Sequence, residues 1–94
     1  MIYDGQWKND KRDGIGKQSY RGGSYYNGSW ELDYKMGHGQ MKFDDGREYQ
    51  GQWVKDAMEG DGKMKYPDGS SYIGQWKGGK RSGKGSLIEK GFMF

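Results

Sequence analysis

Tyr49-Gln50-Gly51-Gln52-Trp53, then six residues, then Gly60-Asp61-Gly62-Lys63-Met64-Lys65-Tyr66-Pro67-Asp68-Gly69 is the stretch that decides the fold. Tyrosine, glycine and tryptophan at every second position put an aromatic face and a polar face on an extended strand. The Gly-x-Gly segment alternates in the same way toward Tyr66. Two such strands, joined by a polar connection and closed by Pro67-Asp68-Gly69, make a hairpin. Pro67 is the chain's only proline, and it falls where a turn begins rather than inside a ladder, where its missing donor would be costly.

The same unit recurs as Tyr3, Gly5, Trp7, Gly14 and Gly16, as Tyr26, Gly28, Trp30, Gly37 and Gly39, and as Tyr72, Gly74, Trp76, Gly83 and Gly85, at a constant step of 23 residues. A lone hairpin cannot bury its apolar face, so the fold must be read from the stack. Repeats over 3–25, 26–48, 49–71 and 72–94 form one array spanning residues 1–94. The expected fold is all-β: an elongated, twisted, single-layer antiparallel sheet of successive hairpins, advancing roughly 40 Å at about 4.8 Å per strand. The fourth unit departs from the pattern near its end. Leu87 takes the slot of Met41 and Met64, Glu89 that of Tyr20, Phe43 and Tyr66, and Phe92 that of a turn glycine, so regular pairing should stop near Ile88. Gly91 to Phe94 reads as a terminal cap or as the margin of a longer array.

Within each hairpin, Asn9–Asp13 and Glu31–Met36 read as polar connections. Between hairpins, Arg21–Ser24 and Asp44–Gly46 read as turns, with Asp45-Gly46 the signal of a type I′ reversal. Glycine beside large rings on one face implies that rings lie over open backbone, doing the work of a second sheet. The expected layer is Trp7, Trp30, Trp53 and Trp76 with Tyr20, Phe43 and Tyr66, lying over Gly5, Gly14, Gly28, Gly37 and their equivalents. Gly60→Val should then destabilise by displacing a ring.

Composition narrows the function classes. Hydrophobic content is only 31%, but the 19 glycines are periodic and accompanied by eight Tyr, four Trp and three Phe, which argues for ordered strands over disorder. There is no cysteine, hence no disulfide framework, thiolate nucleophile or cysteine–zinc site. No apolar run approaches the roughly 20 residues that span a bilayer as a helix, and Met1 to Trp7 carries no signal-like segment. Counting Lys and Arg against Asp and Glu, the four repeats carry +2, −2, −1 and +4. Basic ends around an acidic middle make a poor nucleic-acid track, and the rings that could stack on bases are committed to the fold.

Tyr-x-Gly-x-Trp, six residues, Gly-x-Gly, then an aromatic and Asp-Gly resembles the membrane occupation and recognition nexus repeat, the MORN repeat, over essentially residues 3–88. The resemblance implies an extended sheet of hairpins and a scaffold or interaction role. Such repeats occur in junctional membrane proteins, plant lipid kinases, ciliary and flagellar assemblies, parasite cytoskeletons, and beside the catalytic domain of a histone lysine methyltransferase. A cytoplasmic location near cytoskeleton, cilium or the inner membrane surface follows as an expectation. An accessory segment of a larger enzyme is the alternative. The positions matched, such as Tyr26, Gly28, Trp30, Gly37, Gly39, Phe43 and Gly46, define the repeat and carry no active site.

The residues themselves offer little chemistry. His38 lies between two glycines and points to the wet face, with no metal-ligand spacing around it. Asp44 and Asp45 precede Gly46 and suit a turn, lacking the ligand series of a calcium loop. Gly37-His38-Gly39 enters a strand, where a phosphate loop would enter a helix, and Ser70 and Ser71 have no histidine nearby in sequence. No catalytic, cofactor or metal residue is assigned, and a non-enzymatic protein is expected. Candidate contacts are of three kinds. The rings Trp7, Trp30, Trp53, Trp76, Tyr20, Phe43 and Tyr66 could line a groove for a helix or extended peptide of a partner protein. Lys11, Arg12, Lys35, Lys80 and Arg81, read as loop cations, could meet an anionic membrane surface. Free edge strands could support a homodimer or end-to-end assembly.

Overall fold

The computed structural model describes residues 1–89. Eight strands, β1 (Ile2–Lys8), β2 (Lys11–Ser19), β3 (Tyr25–Glu31), β4 (Tyr34–Lys42), β5 (Glu48–Val54), β6 (Ala57–Lys65), β7 (Ser71–Lys77) and β8 (Lys80–Ile88), follow one another in a single open sheet. Every neighbour pair is antiparallel, and no α-helix occurs among the described residues. Regular pairing ends at Ser71 opposite Ile88. The expected cap at Gly91 to Phe94 lies outside the described residues. The molecule measures 54 × 28 × 16 Å, a ribbon.

One row of glycines crosses the whole sheet. Gly5, Gly16, Gly28, Gly39, Gly51, Gly62, Gly74 and Gly85 pair successively from β1 to β8. The missing side chains let each hairpin's first tyrosine lie flat over the row: a Cβ on Gly39 would come within 2.0 Å of the Tyr26 hydroxyl, and one on Gly62 within 2.1 Å of the Tyr49 hydroxyl. The rings expected over this track were the tryptophans with Tyr20, Phe43 and Tyr66; the residues that cover it are Tyr3, Tyr26, Tyr49 and Tyr72. Each phenol donates to the backbone carbonyl three residues on: Tyr3 to Gln6 at 2.8 Å, Tyr26 to Ser29 at 2.9 Å, Tyr49 to Gln52 at 3.0 Å and Tyr72 to Gln75 at 3.2 Å. Tyrosine and tryptophan then alternate edge to face along the ribbon, with centroids 4.9–5.6 Å apart from Trp7 to Trp76.

Gly14, Gly37, Gly60 and Gly83 have a different task from the one expected. They are not slots for rings: their φ values are 93°, 82°, 74° and 57°, and in the first hairpin Asp13, Gly14 and Ile15 together stand opposite Gln6, between the pairs Gly5–Gly16 and Trp7–Arg12. This bulge bends the strand and leaves backbone donors free on the outer face. Gln6 Oε1 accepts from Ile15 N–H at 2.7 Å, and Gln52 Oε1 from Asp61 N–H at 3.1 Å. Gly60→Val is therefore destabilising for a backbone reason, since valine strongly resists positive φ.

The turns also exchange their expected roles. The hairpin connections are two residues long, and Asn9-Asp10, Leu32-Asp33, Lys55-Asp56 and Gly78-Gly79 all have positive φ at both positions, as a type I′ turn requires. Asp45-Gly46 is not such a turn. Only Gly46 is left-handed there, Gly46 N–H donates to Phe43 O at 3.1 Å, and Phe43 N–H to Arg47 O at 2.9 Å, the wider closure that Tyr66–Ser70 repeats.

Candidate interaction surface

The ring-bearing face is closed in its centre. Trp30, Trp53 and Trp76 are buried, and their indole N–H groups donate to Gly16, Gly39 and Gly62 carbonyls at 3.0–3.1 Å, each reaching back across the boundary to the preceding hairpin. Trp7 lies on the edge strand β1 and is 58% exposed. Tyr20, Phe43 and Tyr66 are half-buried, packed with Tyr3 and Met41 against the core. Of the seven rings expected to line a groove, three are thus sealed into the ribbon. Tyr20, Phe43 and Tyr66 remain as a row along one side, and Trp7 stands at one end.

Burial shows in the phenols. Tyr49 is pushed up to about 12 by loss of solvent, which its hydrogen bond to Gln52 only partly offsets, and Tyr26 is raised further for the same first reason.

Arg12 and Lys35 are not loop cations. They lie in β2 and β4, opposite Trp7 and Trp30, and fold over the rings of the next hairpin. The Arg12 guanidinium stands 4.3 Å from the Trp30 ring centre, and Lys35 Nζ lies 5.4–5.7 Å from those of Trp53, Tyr20 and Tyr26. Desolvation there lowers the Lys35 ammonium below its ordinary value. The third residue of the series is buried Met58 and the fourth is Arg81, which is exposed and lies 5.3 and 5.1 Å from the Tyr66 and Tyr72 rings. Lys11 and Lys80 are exposed beside the hairpin turns.

In two of the four left-handed turns an aspartate carboxylate ties one hairpin to the one before. Asp33 Oδ1 accepts from Arg12 N–H at 2.7 Å and Arg12 Nε at 3.0 Å, and Asp33 N–H donates back to Arg12 O at 3.0 Å. These bonds, the backbone one first, hold the Asp33 carboxyl below its usual range. Asp56 does the same for Lys35, accepting from its N–H at 2.8 Å and donating to its carbonyl at 3.2 Å. At the next boundary Gly79 keeps only the donation, to Met58 O at 3.1 Å.

His38 is exposed, and no cluster of three His, Cys, Asp or Glu side chains that could hold a metal occurs among the described residues. Asp45 accepts from Arg47 N–H at 3.0 Å and Arg47 Nε at 2.8 Å, so it is occupied within its turn. Ser70 donates through N–H and hydroxyl to Asp68, at 2.8 and 2.6 Å. Two hollows of 290 and 430 Å³ adjoin the half-buried row. The first is lined by Met41, Phe43 and Arg47 and the second by Tyr66, Ser70, Arg81 and Leu87.

The tyrosine cover is not legible in the sequence, and the equivalent positions Arg12, Lys35, Met58 and Arg81, which read as loop residues there, lie in β2, β4, β6 and β8. A signal for the second was present, because Asn9-Asp10 and Gly78-Gly79 are residues that tolerate left-handed backbone, and a two-residue turn puts Arg12 and Arg81 into strands. Leu32 and Lys55 in the middle repeats obscured it.

An open sheet of four stacked hairpins, joined at each of three boundaries by an indole and at two of them also by a turn carboxylate, is a repeat architecture. The MORN repeat model matches residues 3–25, 26–46, 49–71 and 72–88, and the chain belongs to the MORN repeat family. Proteins of this family are typically non-enzymatic, serving as protein or membrane interaction modules. No curated protein matches the chain.

Proposed function

We propose that this chain is a non-enzymatic scaffold that captures a helical or extended segment of a partner protein along the row Tyr20, Phe43 and Tyr66. The observation that carries this reading is that these three rings stay half-exposed after the sheet has satisfied its own packing, each beside a turn that repeats every 23 residues. Two strands advance about 9.6 Å. Seven residues of α-helix advance about 10.5 Å. An apolar side chain at every seventh position of a helix laid across the strands therefore meets each ring in turn, and the hollows at Phe43 and Tyr66 receive its flanks.

The experiment is a titration of the labelled chain with helical peptides carrying such a seven-residue apolar spacing, read by chemical-shift changes. Shifts should concentrate at Tyr20, Phe43 and Tyr66 and vanish in Phe43→Glu and Tyr66→Glu, each first shown to be folded. Shifts confined to outer-face residues such as Asn27, Gln50 and Ile73, or binding indifferent to both substitutions, would refute the reading. A peripheral role on anionic membranes has weaker support, because Arg12, Lys35 and Arg81 lie over rings and only Lys11 and Lys80 of the five candidate cations stand clear of them to meet a headgroup. A cytoplasmic site of action accords with a chain that uses no cysteine.

A further inference from the structure

The boundary between hairpins occurs three times inside this chain, at β2–β3, β4–β5 and β6–β7. Each boundary has the same parts. A glycine of the earlier hairpin faces the later tryptophan, the glycine row continues through the next pair, and an indole N–H reaches the row carbonyl. Gly14–Trp30 and Gly16–Gly28 are the first such pairs, with Trp30 bonded to Gly16 O at 3.0 Å. Where the boundary is complete, an acidic turn residue grips the backbone of the residue 21 positions earlier.

Among the described residues β1 and β8 are the two edges of the sheet, and they hold the matching halves of a fourth boundary. At β1, Trp7 is exposed and Asp10 stands in a left-handed turn with φ 63°, the position of Asp33 and Asp56, with no pairing among the described residues. At β8, Gly83, Gly85 and Leu87 are exposed, and Arg81 stands where Arg12 and Lys35 stand, lying beside rings with no carboxylate bonded to it among the described residues. The internal β6–β7 boundary lacks this acid, since Gly79 replaces it. That seam is tied instead by Glu59, which accepts from the Gly78 N–H, whereas the outer edges keep the Asp and Arg pair of the first boundary.

We propose that two copies of this chain join head to tail, β1 of one adding to β8 of the other in the register of the internal boundaries. Gly83 then faces Trp7, Gly85 faces Gly5 and Leu87 faces Tyr3. The Trp7 indole donates to Gly85 O, and Asp10 of one copy accepts from the Arg81 backbone N–H and guanidinium of the other, as Asp33 does from Arg12. The contact joins two different surfaces, so each added copy presents the same two free ends and growth does not close at a dimer. This inference shares Arg81 and Leu87 with the hollow beside Tyr66 but does not rest on the peptide-binding reading, and Trp7→Ala, at the opposite edge, leaves that hollow unchanged.

Sedimentation velocity of the full chain over a concentration series, at about 0.15 M salt to screen the basic end repeats, tests it together with acrylamide quenching of Trp7. Mean mass should rise past the dimer with concentration while Trp7 becomes protected. Trp7→Ala and Arg81→Asp, both at exposed positions, should each weaken association by about tenfold or more, the loss expected for one charged hydrogen-bonded pair or one aromatic anchor. Their mixture should recover a heterodimer, because each variant keeps one intact end. A chain that stays monomeric up to about 1 mM would overturn the proposal. So would a closed dimer that Trp7→Ala abolishes and mixing does not recover, since that is β1 pairing with β1.

Discussion

Gly62→Ala tests the central claim that the glycine row exists to let tyrosine lie on bare backbone. Gly62 does not need left-handed backbone, so the substitution carries no conformational penalty of that kind. Its Cβ would lie 2.1 Å from the Tyr49 hydroxyl and 2.4 Å from two ring carbons, with the strand beneath paired on both sides. The ring must leave. Expulsion removes the hydrogen bond to Gln52, worth about 1 kcal/mol net, and the edge-to-face contacts with Trp53 and Trp76, about 0.5–1.5 kcal/mol each. It also exposes a side chain now fully buried, about 1.5–3 kcal/mol. Partial relaxation keeps the total near 3–5 kcal/mol, a large share of the roughly 5–10 kcal/mol expected for a chain of this length. Urea and thermal unfolding, followed by tryptophan fluorescence, should show a Tm lower by about 15–30 °C. In a Tyr49→Ala background the same Gly62→Ala change should cost less than about 1 kcal/mol, because the clash is gone. A loss below about 1 kcal/mol in the parent, or equal losses in both backgrounds, would refute the reasoning.

Raised phenol pKa values set an alkaline limit. Tyr26 and Tyr49 ionise in the folded state only at or above about 12, against about 10 when unfolded, so their contribution is complete below pH 10 and is lost as pH rises toward and through the folded values. Absorbance at about 295 nm should show these phenols titrating together with unfolding; their ionisation near pH 10 in a folded protein would contradict the burial. Leu32 pays the left-handed penalty of a branched side chain at φ 50°, so Leu32→Asn should stabilise by about 1 kcal/mol in chemical denaturation, and a loss would show that its side chain does more than occupy a turn. Asp33→Ala should lower Tm more than Asp33→Asn, because asparagine keeps the oxygen that accepts from the Arg12 backbone; equal losses would assign the effect to charge. Iodide should quench Trp7 freely in the monomer and spare Trp53, which Trp7→Phe would reveal as a nearly unquenchable remaining spectrum.

The architecture was legible because it is periodic. Tyrosine, glycine and tryptophan at alternate positions, repeated every 23 residues, determine strand, face and order without reference to any distant contact, and Leu87 and Glu89 mark where the pattern ends. The local conformational preferences of Asn9-Asp10 and Gly78-Gly79 also pointed to their turns, although Asp45-Gly46 offered a similar dipeptide signal and folds otherwise. What sequence left open were choices between residues sharing one face. Tyr49 and Trp53 are both large rings two strand steps apart, and only the packed sheet decides that tyrosine covers the glycine row while tryptophan reaches back to the Gly39 carbonyl. Arg12 and Lys35 look like solvated cations in a one-dimensional reading. The three-dimensional register brings them over the rings of the following hairpin, where cation–π attraction and, for Arg12, the Asp33 carboxylate hold them. Sequence alone determined the repeat, the strand order and the face, since these follow from local periodicity. Tertiary structure decided which rings are sealed, which cations are spoken for and which halves of a boundary stand free, since each depends on residues brought together from neighbouring repeats.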